Sequence, residues 1–305
     1  MNKLKKLLLS INRIVKAAED DIAQELPEDM PGADNLQTFM NEYEKKIAKL
    51  LRKQMKYYYD AINQYGEADE VVTDALLTYF EEELFINDIF EADMSTLTEE
   101  TFMVIIAVLC AIIMEAVDPD ILFEELSGTI QTEVSNWSLQ LAAFLFLTTR
   151  NGIISTIASA ITSNLTLSAL ATLIKDLSVF NRSRASSIAQ NEVLTALSMA
   201  QQESYSQSPA VTGKMWVHTD RQEGDPRANH VKMDSVEATV DEEFEIADST
   251  ETCMYPREPK LSAAERINCN CVIFPVVDGK TLRLSKEDKE AIREQYLAER
   301  RINNA

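Results

Sequence analysis

A chain of 305 residues can hold two domains, or one core carrying long helical extensions. Seven glycines and eight prolines leave few tight turns, so long helices are expected and a glycine-rich phosphate cradle is nearly excluded. A formal net charge of -21 favours solubility and repels nucleic acid except where positive charge is locally concentrated.

Leu4, Leu8, Ile11, Ile14, Val15 and Ala18 recur at three- and four-residue intervals and predict an amphipathic helix over 3–25. The same start imitates a secretory signal only faintly. Its apolar core is short, Asn12 and Arg13 interrupt it, and no small-residue cleavage site follows. A thiol-reducing, cytoplasmic site of synthesis is expected, and four cysteines do not make a disulfide framework in so long a chain.

Pro27, Pro31 and Gly32 end that first pattern, and Asp34 or Asn35 can cap a helix over 36–65. This helix carries Lys45, Lys46, Lys49, Arg52, Lys53 and Lys56, followed by Tyr57, Tyr58 and Tyr59. Six cations beside aromatics can form a phosphate-contacting strip; the alternative is a solvated face with its tyrosines packed inward. Residues 68–93 read as an acidic helix with Val72, Leu76, Phe80, Leu84 and Ile86 on its apolar face. Ser95 or Thr98 then looks like the cap of a further helix. Its apolar run over 102–114 is too short for a bilayer and predicts a buried central helix with Cys110 in the core. Residues 151–174 lack charge entirely. Two short helices broken at Asn151-Gly152 and Asn164 are expected there, with membrane insertion as the alternative.

From Asn181 the composition changes. Residues 182–192 lead into a small-residue helix, 193–201, and a polar turn at 206–213 precedes alternating strands at 215–219 and 272–277. Asp225-Pro226 is a helix start, and Ser285 caps a surface helix over 286–301. The chain therefore reads as α+β: a helical region to about 180, a small α+β domain over 181–280, and a terminal helix over 281–305.

Both histidines and three of the four cysteines fall between Lys214 and Val277. His230, Cys253, Cys269 and Cys271 can supply a tetrahedral zinc site, with Asp220, Asp225 and His218 as alternates. Reduced thiols beside a structural histidine are the simpler reading. A nucleophilic enzyme using Cys269 or Cys271 with His230 and Asp220 or Asp225 is the third.

The ordered series Arg184, Ala189, Glu192, Trp216, Asp220, Asp225, Arg227, His230, Glu243, Phe244, Asn268, Cys269, Cys271 and Pro275 resembles the phage head morphogenesis, or minor head protein, family. That family is typified by the F protein of phage Mu and the minor capsid protein of phage SPP1. The resemblance covers about 180–277. It implies a non-enzymatic virion protein, made in the host cytoplasm and held in few copies inside the capsid at the portal vertex. Its implied partners are the portal protein, other head or scaffold proteins and packaged DNA, in head assembly and DNA packaging or delivery. Given the acidic balance, any DNA contact is expected on the Lys45 to Lys56 strip. An ejected, membrane-active role is the alternative.

Overall fold

The computed structural model describes residues 26–27, 30–219 and 226–303, with side chains through 298. The expected N-terminal helix lies outside the described residues, as do Asp220 and Asp225. The fold is α+β, with helices in the first part and small antiparallel sheets in the second. Two compact units interleave along the chain instead of following one another.

One unit comprises 40–101 and 133–189. It uses most of α1 (Ala33–Tyr65), α2 (Asp74–Tyr79) with a π turn at Phe80–Leu84, and the start of α3 (Phe90–Val117). Most of α4 (Gly128–Thr162), α5 (Leu167–Lys175) and the start of α6 (Arg182–Gln207) complete it. Tyr58, Ile62, Val72, Leu76, Phe80, Ile153, Ile157, Leu170 and Ile174 form its core. Tyr58 stacks on Phe80 with centroids 5.7 Å apart, and its hydroxyl donates to Asp88 Oδ2 at 2.6 Å. The tyrosines after the lysine strip do pack inward, while all six cations are exposed.

Local signals were overridden three times in this unit. Residues 68–93 are not one helix: the chain turns after Leu84, leaving Ile86 72% exposed. Asp88 Oδ1 accepts from the Phe90 amide at 2.9 Å, so α3 starts at Phe90, not at Ser95 or Thr98. Thr98 lies inside the helix, bonded to Met94 O and Tyr43. At Asn151-Gly152 α4 runs on unbroken, because the cost of one helical glycine, about 1 kcal/mol, is offset by burying Ile153 beside it and Ile157 one turn on. The break comes at Asn164, whose φ of +50 suits a short polar side chain. Thr166 then caps α5 by accepting from Ala169 N at 3.3 Å.

The other unit holds the described residues of 1–39, 102–132 and 190–305. Phe102, Ile105, Ile106, Leu109, Cys110 and Ile113 of α3 are buried here, as are Val193, Leu194, Ala196, Leu197 and Ala200 of α6. Burial pushes the Cys110 thiol up to about 12, and it donates to Ala200 O at 3.5 Å: core packing, as expected. β1 (Val211–Val217) is the middle strand of three, antiparallel to β2 (Glu237–Thr239) and β5 (Val272–Val277). Only glycine fits at Gly213, where a Cβ would meet the Ala238 carbonyl at 2.8 Å. The short helix α7 (Ala228–Lys232) begins two residues beyond Pro226, with Arg227 at its cap position and no side-chain cap bond. β3 (Phe244–Glu245) pairs with β4 (Thr252–Cys253), and α8 (Ala263–Arg266) precedes β5.

α9 (Lys286–Asn303) is capped by Ser285, whose Oγ accepts from Asp288 N at 3.2 Å. It is not a purely surface helix. Lys289, buried, donates to Asp118 at 2.9 Å and Asp120 at 2.8 Å, and Arg293 donates to Leu122 O and Gln207 Oε1. By length and composition α3 and α4 would each suffice to cross a bilayer, although each also buries core residues.

Lys214, central in β1, is buried with its Nζ donating to Gln202 Oε1 at 3.0 Å and lying 5.4 Å from the Phe244 ring centre. Burial brings its ammonium down from 10.5 to about 8. Between those two values the unfolded chain binds more protons, so the Lys214 contribution to stability rises with pH across that window. Urea midpoints of the wild type and Lys214→Met, measured from pH 8 to about 10, are expected to shift progressively in favour of the wild type.

Candidate metal centre

The centre is assembled from α7 and the segment that joins α8 to β5. α7 presents His230, which is 2% exposed. Its Nε2 meets Glu265 Oε2 at 2.8 Å, and Asn229 Nδ2 holds both oxygens of that carboxylate at 3.0 Å. In the neutral ring, with Nε2 donating to the carboxylate, Nδ1 carries the lone pair a metal would take. That nitrogen points at two sulfurs, Cys269 Sγ at 3.5 Å and Cys271 Sγ at 3.6 Å. Donor atoms of His230, Cys269 and Cys271 all lie within 4.8 Å of one another, and all three residues are buried.

Residues two apart on extended backbone point to the same side, so a Cys-x-Cys can present both thiols together if its backbone is held. Arg257 holds it. Its guanidinium, 1% exposed, donates to Cys269 O and Cys271 O at 2.7 Å each, to Leu194 O at 3.0 Å and to Ser198 Oγ at 2.6 Å. Thr219 Oγ1 takes the intervening Asn270 carbonyl at 3.0 Å. Asn268 enters the turn at φ +56, its amide bonded to Asn191 Oδ1 at 2.6 Å. Arg257 itself sits at φ +68, a left-handed conformation costing about 1–2 kcal/mol, which its four hydrogen bonds offset.

Electrostatics favour a thiolate here. The Cys269 thiol is held well below its ordinary range, by hydrogen bonding from Cys271 first, against burial, and then by His230 and Arg257. Cys271 is pushed up, by its bond to Cys269 and by burial, so the pair keeps one proton. Burial lowers His230, but Cys269 and Glu265 outweigh it and the net direction is upward. Trp216 closes the site edge-on, 5.6 Å from the His230 ring and 5.4 Å from Phe244.

The structure brings together three of the four expected ligands. Cys253 is outside the group: it lies on β4 opposite Phe244, where burial pushes its thiol up. His218, an alternate, follows β1 with its amide donating to Asp234 Oδ1 at 2.9 Å and its Nδ1 3.5 Å from Cys271 Sγ. All four cysteines are unbridged. Of the remaining series, Arg184 donates to Leu145 O, Thr149 Oγ1 and Val179 O, and burial brings it down to about 10. Glu192 meets Arg266 at 3.4 Å, Arg227 donates to Ile267 O, and Phe244 is core.

Sequence reasoning missed Arg257, Glu265 and Gln201, whose side-chain amide brackets Ile273 by donating to its carbonyl at 2.9 Å and accepting from its amide at 3.4 Å. No motif marks them. Each is an ordinary polar residue made structural by distant backbone. Chemically the cluster offers two things: a metal seat of two sulfurs and one nitrogen, or a Cys269, His230 and Glu265 series of nucleophile, base and orienting acid.

Comparison with known proteins fits this organisation. A family model described as phage Mu protein F like protein matches residues 151–274, which include α6, Trp216, His230 and both clustered cysteines. The chain is also 41% identical over 302 residues to a Bacillus subtilis (strain 168) protein, uncharacterized protein YqbB, covering 98% of this chain and 99% of that one. No solved structure matches it.

Proposed function

We propose that this chain, which belongs to the phage Mu protein F like family, is a non-enzymatic minor protein of a bacteriophage head. It occupies the portal vertex inside the capsid in few copies and acts in head assembly and in DNA packaging or delivery. The observation that carries this reading is the family match over 151–274, which takes in the buried, backbone-clamped cluster. The partners are the portal protein and neighbouring head or scaffold proteins. DNA contact is confined to Lys45, Lys46, Lys49, Arg52, Lys53 and Lys56, all exposed on α1, although Lys53 and Lys56 also pair with Asp93 and Asp60. When proheads are disassembled gently, the chain is expected to co-purify with the portal. Consistent separation from it sinks the proposal.

Zinc belongs to the same reading. Two sulfurs and an imidazole nitrogen suit it, and Glu265 behind His230 supplies the carboxylate that commonly orients a zinc-bound histidine. Its role is to staple the small domain, since a structural metal contributes directly to folding free energy. One observation favours an enzyme instead, the Cys269, His230 and Glu265 alignment. The two readings part at Cys269→Ala. A staple predicts a clear fall in thermal stability. An enzyme predicts loss of a turnover with folding intact, and circular dichroism melts of both proteins decide. The length and composition of α3 and α4 support the membrane-active alternative, and failure of the full chain to float with liposomes removes it.

A further inference from the structure

Three donors do not close a zinc site, and the identity of the fourth decides whether the centre staples or catalyses. Structural zinc sites have four protein ligands, whereas catalytic ones keep a corner for water. With Zn–S of about 2.3 Å and Zn–N of about 2.0–2.1 Å, tetrahedral geometry sets neighbouring S and N donors about 3.5–3.6 Å apart. The cluster reproduces that edge length three times: His230 Nδ1 to Cys269 at 3.5 Å, His230 Nδ1 to Cys271 at 3.6 Å, and His218 Nδ1 to Cys271 at 3.5 Å.

We infer that His218, not Cys253, is the fourth ligand, making a closed two-cysteine, two-histidine site for a zinc ion. The inference rests on the zinc reading above and deepens it. His218 lies beside Cys271 but is not one of the mutually close trio, so closing the site asks a side-chain adjustment of it. Its side chain is half-buried. Its backbone is already placed: the amide is tied to Asp234, and the next residue, Thr219, is tied to Asn270 between the two cysteines. Cys253 lies outside the mutually close trio. It is committed to the β3–β4 pair. A closed site has no open position for substrate or activated water, which agrees with a non-enzymatic head protein.

The test uses the full-length reduced chain, stripped with chelator, refilled with Co²⁺ and then titrated with competing Zn²⁺. Wild type, His218→Ala, His218→Gln and Cys253→Ser are compared, with folding checked by circular dichroism. The wild type is expected to take one ion per chain with the intense visible absorption of tetrahedral cobalt. Both His218 variants are expected to fold, bind zinc about tenfold or more weakly, and show an altered cobalt spectrum as water takes the corner. Cys253→Ser is expected to match the wild type. Unchanged affinity and spectrum in the His218 variants, or loss in Cys253→Ser, overturns the inference while leaving zinc in place. A wild type that binds neither metal overturns the zinc reading and the inference together.

Discussion

Replacing Arg257 with methionine is expected to cost roughly 4 kcal/mol or more, a large share of the stability of an ordinary domain. The side chain is buried and serves four acceptors, three of them backbone carbonyls. Methionine fills similar volume but donates nothing, and each buried acceptor left unmet costs about 1–3 kcal/mol. Relief from burying a guanidinium offsets part of that sum, which is why the figure sits near its lower end. Lysine keeps the charge but cannot span the acceptors as a planar fork, so Arg257→Lys is expected to fall between, at roughly 2 kcal/mol. Urea unfolding followed by circular dichroism measures both. A methionine variant within about 1 kcal/mol of wild type contradicts the clamp.

Trp216→Ala is the second large effect, expected at about 3–5 kcal/mol. Trp216 is fully buried on β1, in register with Ile273 of β5, and touches His230 and Phe244 edge-on. Alanine loses the transfer energy of the indole and leaves a cavity that a hydrogen-bonded sheet cannot close. Each edge-to-face pair adds about 0.5–1.5 kcal/mol. Phenylalanine retains most of the ring contact, so Trp216→Phe is expected to cost about half as much or less. Because the indole also packs on His230, the alanine variant should bind metal more weakly, whereas the phenylalanine variant should not. Denaturation midpoints and cobalt titrations on the same preparations check both statements.

Helices were largely legible because periodic apolar spacing survives wherever glycine and proline are scarce. α1 and α9 begin and end within a few residues of expectation, and the β-branched run of β5 was placed correctly. Failures came where a local signal met a stronger tertiary one. Asn151-Gly152 looks like a break, yet Ile153 beside it and Ile157 one turn on are buried and the helix continues. Asp88 looks like one more acid in a helix, yet its carboxylate caps the following helix.

The site divides the same way. His230, Cys269 and Cys271 stood out because histidine and cysteine are rare here and gather in one stretch. Cys253 was drawn into the same set by its element alone, and the structure places it across a different strand pair. Arg257 was invisible for a physical reason. Its acceptors are carbonyls from residues 12 to 63 positions away, and a carbonyl leaves no trace in the identity of its residue. Glu265, next to Arg266 on a four-residue helix, reads as a solvated charge pair until His230 is placed against it.

The head-protein assignment is tested most directly by counting this chain in purified phage particles by mass spectrometry against isotope-labelled standard peptides. The account predicts a few copies per particle, far below the major capsid protein, retained with the portal when the shell is dissociated. Particles that assemble and package DNA without it, with the chain recovered only from the soluble lysate, would contradict the account.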